Sequence, residues 1–342
     1  MRKLATAAFS FAGGIFLAQY LLPLRWQLPL GAFCAVLVIM GFLWKGNARR
    51  RIVLICIDAS LALVYNWLYV RFIQLPAEEW AETEQTQLSM TLLDYAVPTA
   101  YGARATVRPA IDGLREIKAV YYGDDSLLAL APGCVITDDV YLRSASSVRD
   151  DDITTFTSKG VFLLVYSRGE ARYTSGTENA LRWLPQHSAR VIQNRISQLF
   201  SGDTAAFLTA ILTGDKSGIS EEASTALAEA GLYHILAVSG MHCAYLLGMV
   251  TFLTGSHRRC LQASIAIPLL LFYMLLTGGS PSVVRACVML IFVLTAPLFR
   301  RESDMATSMS VALALILLQN PFAAASLSLQ LSFAAISGTG IP

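Results

Sequence analysis

The chain has 342 residues, of which 55% are apolar and only 15% charged, with 26 basic and 24 acidic side chains. Soluble domains carry roughly 45–50% apolar and about 25% charged residues, and a mean hydropathy of +0.53 is too high for one soluble core. The composition therefore predicts a protein that faces lipid, and the near-balanced charge gives no sign of a polyanion partner.

The N-terminal 75 residues contain apolar runs of transmembrane length, at residues 4–24, 28–44 and 52–72. No convincing cleavage site follows the first run, so we interpret it as an uncleaved anchor rather than a signal peptide. Lys45 and three arginines at 49–51 lie in the loop between the second and third runs. Because basic loops stay in the cytoplasm, we predict a cytoplasmic N-terminus and place residues 76–185 outside.

Residues 76–185 are polar and show the period-two alternation of strands. The candidate strands are residues 86–96, 104–109, 115–122, 134–144 and 161–167. Turns rich in Gly, Pro and Asp separate them. The pattern predicts a small all-β domain, with an OB-like barrel as the leading candidate.

The charge of this β domain argues against a broad DNA-binding surface. Residues 78–182 carry sixteen acidic and ten basic side chains, whereas nucleic-acid interfaces gather positive charge. A local basic stripe with nearby rings for base stacking is still open as a hypothesis. Its cations are Arg104, Arg108, Arg115 and Lys118, and Tyr101, Tyr121 and Tyr122 are available for stacking. The alternative is that these side chains lie on solvated strand faces.

Residues 186–230 are predicted to be interfacial. An amphipathic stretch at 186–200 suits the membrane surface, and an apolar helix at 204–213 is too short to span. Residues 231–342 return to apolar runs, predicted as spans 232–254, 261–277, 282–299, 305–319 and 322–341. Breaks at residues 278–281 and 320–321 indicate either broken helices around a polar cavity or tilted short helices with ordinary loops.

Polar side chains within these apolar surroundings are the candidate functional residues, because a central Arg or Asp in a bilayer costs about 2.5–3.5 kcal/mol. The channel and motif candidates are Asp215, Lys216, Ser217, His234, Ser239, Gly240, His242, Arg285 and Gln330. We expect them to line or gate a polar path. For Arg285 the alternative is a guanidinium that reaches the outer interface. We expect no metal site, cofactor or catalytic residue.

Three motifs in order resemble the ComEC-type competence family. They are GDKSGISEEASTALAEAGLYHILAVSGMH from Gly214, LLTGGSPSVVRACVM with Gly278, Ser282 and Arg285, and QNPFAAASLSLQLSFAAISG with Asn320, Pro321, Gln330, Leu331, Ser332 and Phe333. The resemblance implies a multi-pass plasma-membrane channel that admits single-stranded DNA during natural transformation, with an outer OB-like domain that handles DNA. It also implies contact with other competence proteins and a second copy of the chain as partners. The metallo-β-lactamase-like domain of many members has no counterpart here, so we expect no enzyme.

Two other functions are compatible with parts of the sequence. An intramembrane serine hydrolase would use Ser239, although the protease motif has Gly where Ala237 stands. A permease for a small solute would use the same polar path.

Overall fold

A computed structural model of the protein describes residues 3–43, 49–81, 86–111, 116–148, 154–169, 171–174, 181–236, 238–255, 258–299, 305–326 and 329–331. Within these ranges the chain forms a helical N-terminal part, a β barrel and a second helical part. The fold is thus mostly helical with an inserted barrel, in the order that the hydropathy and alternation patterns predict.

The N-terminal helices pack around a long third helix. They are α1 (Lys3–Tyr20), α2 (Leu24–Leu43) and α3 (Arg49–Tyr69), and α3 continues through a wider turn at Val70–Gln74 into α4 (Leu75–Ala81). A Cβ atom at Gly14 would lie 2.7 Å from the Cβ atom of Ala62, so the glycine allows α1 and α3 to approach closely. Asn66 on α3 donates to Gln27 on α2 (3.1 Å), and Gln27 donates to the Ala18 carbonyl on α1 (2.9 Å). These buried hydrogen bonds link all three helices.

Among the described residues, three helices have the length and composition to cross a membrane, and others are apolar but shorter. The long ones are Ile52–Ala81, Arg259–Leu276 and Pro281–Leu298, and the shorter apolar ones are Leu4–Tyr20, Leu24–Ile39, Gly240–Thr254 and Thr307–Gln319. Many of their large apolar side chains face outward; Phe252, for example, is 88% exposed. Apolar surface of this extent is the kind that lipid or another protein covers.

The barrel has OB-type connectivity. Its strands are β1 (Thr86–Leu92), β2 (Val97–Thr99), β3 (Gly102–Pro109), β4 (Lys118–Gly123), β5 (Val135–Ser144), β6 (Val161–Ser167) and β7 (Arg172–Thr174). The order β1–β3–β4–β6–β5 closes by pairing of β5 with β1, and among the described strand pairs β4 and β6 alone run parallel. All five predicted strands are present. The added strands β2 and β7 are too short to show an alternation in the sequence.

The barrel core extends into the helical part. Inward residues of its strands, such as Leu88, Val107 and Ile136, form one cluster with Ala77 of α4 and Phe322, and Tyr69 of α3 packs against it. Residues from both helical parts therefore close one end of the barrel.

The second helical part begins at the barrel and ends against α1. Its helices are α5 (Leu184–Leu199), α6 (Gly202–Thr213), α7 (Glu221–Glu229), α8 (Gly240–Thr254), α9 (Arg259–Leu276), α10 (Pro281–Thr295) and α11 (Met305–Gln319). Leu313, Ile316 and Leu317 of α11 share a buried cluster with Ala12 and Ile15 of α1. This contact joins the two helical parts.

Two predicted spans differ from the structure. The run 232–254 is not one helix, because a short 3₁₀ turn at Tyr233–Leu236 precedes α8 and Ser239 is the N-cap of α8. The run 322–341 begins with a 3₁₀ turn, Pro321–Ala325, whose buried residues include Phe322. Here the apolar side chains contact the barrel, so hydropathy alone mistook a docking segment for the start of a span. Residues 332–341 lie outside the described residues.

Candidate functional site

Ser239 and His242 form a local pair at the start of α8. The backbone N–H of Ser239 donates to His242 Nδ1 (3.1 Å), and Ser239 Oγ lies 3.3 Å from the same nitrogen. An Nδ1 that accepts from a backbone N–H has its proton on Nε2 when the ring is neutral. The contact satisfies a free donor at a helix N-terminus, so it explains both polar side chains as a cap. It does not by itself require a serine hydrolase.

The first two motifs meet at one end of the helical bundle. Gly214 ends α6 with φ +84°, and a Cβ atom there would lie 3.5 Å from Val238 and 3.7 Å from the Thr277 carbonyl. A Cβ atom at Gly240 would lie 3.4 Å from that of Ala286 on α10. The glycines of these motifs therefore let the loop after α6, the start of α8 and α10 approach one another.

Asp215 connects the loop after α6 to α5. Its Oδ1 accepts from the Ser217 backbone N–H (3.0 Å), and its Oδ2 accepts from Gln193 on α5 (3.3 Å). The Lys216 ammonium lies 5.2 Å from the centre of the Tyr233 ring. Partial burial lowers the pKa of Lys216. Ser217 is exposed, and for His234 the structure gives only the position of its backbone, within the turn 233–236.

Arg285 lies inside the bundle and not at its outer rim. The residue is 6% exposed, one turn into α10. Its guanidinium donates to the Leu329 carbonyl (3.3 Å) and to Ser282 Oγ (3.4 Å). The alternative of a side chain that reaches the interface therefore does not describe this structure. Arg285 instead brings the second motif into contact with the third.

Gln330 and Asn320 anchor the third motif at its two ends. Gln330 donates to the Ala324 carbonyl (3.0 Å) and to the Tyr20 hydroxyl of α1 (3.3 Å). Asn320 donates to the carbonyls of Thr157 (2.9 Å) and Ser158 (3.1 Å), in the loop before β6. Asn320 was not among the predicted channel residues. Its Asn-Pro sequence indicated a helix break but not a contact with the β domain.

The three motifs thus form one connected set of contacts, although they span residues 214–338 of the sequence. Residues 211–339 match the Competence protein family. ComE operon protein 3 of Bacillus subtilis (strain 168) is 32% identical over 142 residues, which make up 40% of this chain and 18% of the relative. The chain therefore covers less than a fifth of that relative's length, and no solved structure matches. Over this region the chain is similar to ComEC-type competence proteins. The resemblance inferred from the three motifs is confirmed.

Outside the matched residues 211–339, one residue of the predicted DNA-binding set on the barrel is not on its outer surface. Tyr121 is fully buried, and its hydroxyl donates to Asp138 Oδ2 at 2.6 Å. Burial, with this hydrogen bond as a second cause, raises the pKa of Tyr121 well above its usual range. The ring points into the barrel, so its assignment as a base-stacking residue is wrong.

The DNA-binding role of the cations in the predicted stripe stays a prediction. Arg108 forms an ion pair with Glu116 at 2.9 Å, which reduces its use for a phosphate. Arg104 and Lys118 are exposed on β3 and β4, and Arg115 lies outside the described residues.

Among the residues that the structure describes, no group of three or more His, Cys, Asp or Glu side chains could hold a metal ion.

Barrel closure instead assembles a row of tyrosines from three strands. Tyr122 of β4 pairs in register with Tyr166 of β6, and Tyr166 pairs with Tyr141 of β5. The Tyr122 and Tyr166 rings stack, with centroids 5.0 Å apart and planes within 10°. We call Tyr122, Tyr166 and Tyr141 the tyrosine row. The sequence separates its members by up to 44 positions, so alternation within single strands could not identify it.

Arginines flank the tyrosine row. Arg104 is the cross-strand partner of Tyr122, and the Arg168 guanidinium lies 5.0 Å from the centre of the Tyr141 ring. Arg143 follows Tyr141 by two residues on β5, so both side chains project from the same face of the strand. Arg143 and Tyr141 also line a polar cavity of about 500 Å³ together with Glu78 and three serines. Rings and guanidinium groups in one band suit bases and phosphates respectively.

Proposed function

We propose that the chain is the membrane-embedded part of a channel that admits single-stranded DNA during natural transformation. The observation that carries this proposal is the contact set that joins all three competence motifs, with Arg285 buried at its centre. A polyanion cannot cross hydrocarbon, so it needs a passage lined by polar or cationic groups. In this proposal Arg285 is the main cation of that passage and the Ser239–His242 cap forms part of its entrance.

The topology follows from the basic loops. With a cytoplasmic N-terminus, α3 would carry the chain outward and the barrel would lie on the extracytoplasmic side. The arginines at positions 258–259 and 300–301 would then face the cytoplasm. DNA would meet the barrel first and the competence domain second.

The test is complementation of a strain that lacks the corresponding gene. We expect the chain to restore transformation by linear donor DNA wherever the remainder of the uptake machinery is present. A strain that imports labelled DNA only with the chain supports the proposal. If the deletion strain takes up as much DNA as the parent strain, the proposal is wrong. That outcome would leave the small-solute permease and the serine hydrolase as the remaining functions.

We further propose that the tyrosine row receives the incoming strand. Replacement of Tyr141, the most exposed member of the row, by alanine should weaken binding of a fluorescent single-stranded oligonucleotide. Stacking on an aromatic side chain contributes about 1–3 kcal/mol per base, which corresponds to a loss of roughly 5- to 150-fold in affinity. Fluorescence anisotropy with the full chain in detergent measures this loss.

The matched control is Tyr245→Ala, which removes a tyrosine that is 68% exposed on α8 and far from the barrel in sequence. If the two variants bind the oligonucleotide equally well, the tyrosine row is not the binding surface. The salt dependence of oligonucleotide affinity is informative as well. Because the β domain has a net acidic charge, we expect only the flanking arginines to neutralise phosphates and release counterions.

A further inference from the structure

The third competence motif contacts the barrel, the N-terminal helices and α10 within a short stretch. We call residues 320–331, of which the structure describes 320–326 and 329–331, the coupling segment. Its N-terminal end binds the barrel through Asn320. The amide group donates to the Thr157 and Ser158 carbonyls, while its oxygen accepts from the Phe322 backbone N–H (3.0 Å).

Phe322 adds an apolar contact at the same end. It is 4% exposed and belongs to the barrel core. Its ring meets Phe162 of β6 edge-on, with centroids 5.7 Å apart, and lies 6.2 Å from Tyr69 of α3. Burial of a phenylalanine side chain contributes about 1.5–3 kcal/mol, so this end of the segment is fixed to the barrel by both polar and apolar contacts.

The C-terminal end of the coupling segment is fixed to different helices. Gln330 reaches Tyr20 on α1, and the Leu329 carbonyl accepts from Arg285 on α10. Gln330 also donates to the Ala324 carbonyl, which ties the two ends of the segment to each other. A displacement of the barrel would therefore be transmitted through packed and hydrogen-bonded groups to the partner of the buried arginine.

We infer that the coupling segment sets the position of Arg285 according to the position of the barrel, and that Asn320 is the positioning residue of this link. The inference rests on the proposed function and extends it, because it assigns the Asn-Pro motif to coordination between the DNA-receiving barrel and the passage. Asn320 itself need not touch DNA. Pro321 has no backbone N–H, so Asn320 caps the segment at Phe322, and its amide group stays directed at the barrel.

Asn320→Asp is the sharpest test, because the aspartate keeps the size of the side chain and the acceptor for the Phe322 N–H. It replaces the amide donor by a carboxylate oxygen facing two carbonyl oxygens, so an attraction becomes a repulsion. We expect transformation to fall about tenfold or more, because two buried carbonyl groups lose their donor and face a charged oxygen instead. We expect binding of a fluorescent single-stranded oligonucleotide to the full chain to stay within about twofold.

The matched control is Asn194→Asp, the same substitution at an exposed position of α5. It should leave transformation unchanged. If the strain with Asn320→Asp transforms as well as the strain with this control, the coupling inference is wrong. If the strain with the unaltered chain does not transform, the proposed function itself is wrong. Loss of oligonucleotide binding by Asn320→Asp would also overturn the coupling inference, since the barrel itself would then be disrupted.

A double-mutant cycle keeps the inference testable if Asn320→Asp accumulates poorly. Gln330→Ala and Asn320→Ser, which retains a side-chain acceptor for the Phe322 N–H, each weaken one end of the segment. Residues of one contact network show non-additive effects, and independent residues show additive ones. We expect the double variant to lose no more transformation than the worse single variant. Additive losses would contradict a single coupled segment.

Discussion

Replacing Arg285 by alanine is expected to lower transformation by about 100-fold or more while the protein still inserts and accumulates. The alanine removes the donors to Leu329 and Ser282 together with the positive charge that we place in the passage. The Leu329 carbonyl would lose this buried donor, and the coupling segment would lose its contact with α10. Transformation frequency, normalised to the amount of membrane-bound protein on an immunoblot, measures the effect.

Two further arginine variants separate charge from geometry. Arg285→Lys keeps the charge but offers no planar fork for two partners at once, so we expect partial activity. Arg195→Ala removes an exposed arginine of α5 whose guanidinium donates to Gln198 (3.2 Å), and should transform normally. Near-normal transformation by Arg285→Ala would remove the buried cation from the mechanism.

Replacing Phe322 by alanine is expected to have the largest effect on stability. The side chain fills the closed end of the barrel, and truncation of a buried phenylalanine typically costs about 3–5 kcal/mol. The substitution would leave a space between Phe162 and Tyr69, and so would loosen the barrel from the helices. Thermal unfolding of the purified protein in detergent should show a lower midpoint.

Phe252→Ala is the control for this stability prediction, because Phe252 is 88% exposed on α8. In the purified protein, detergent covers such an exposed side chain, so the removal of Phe252 leaves no buried space. Equal unfolding midpoints for the two variants would show that Phe322 is not part of the barrel core.

The membrane-type helices and the strands could be predicted because their signals are local. A run such as 52–72 contains enough apolar residues for a span whatever it packs against, and β6 was predicted with its observed bounds, Val161–Ser167. The same local signal failed at Phe322 and at Ser239. An apolar run does not distinguish lipid from a barrel core, and a polar residue within it does not reveal that it caps a helix.

The candidate site was predicted less completely because its parts are distant in sequence. Ser239, His242 and Arg285 were identified as polar residues among apolar ones, and the structure gives each a specific partner. Asn320 was recognised as part of a helix break and of the third motif, but not as a contact with the barrel. The prediction named Tyr121 and Tyr122 together and did not separate the buried ring of Tyr121 from the partly exposed ring of Tyr122. Which alternate residues of a strand face inward depends on how the barrel closes.

The sequence by itself determined that this protein is rich in membrane-type helices, carries an inserted five-stranded β domain and contains three competence motifs. These properties follow from composition, periodicity and residue order, which need no knowledge of contacts. Only the tertiary structure decided that the motifs meet around Arg285, that the tyrosines of β4, β5 and β6 form one row, and that the third motif binds the barrel. Each of these depends on pairing between residues far apart in the chain, which burial of apolar surface and closure of the sheet bring together.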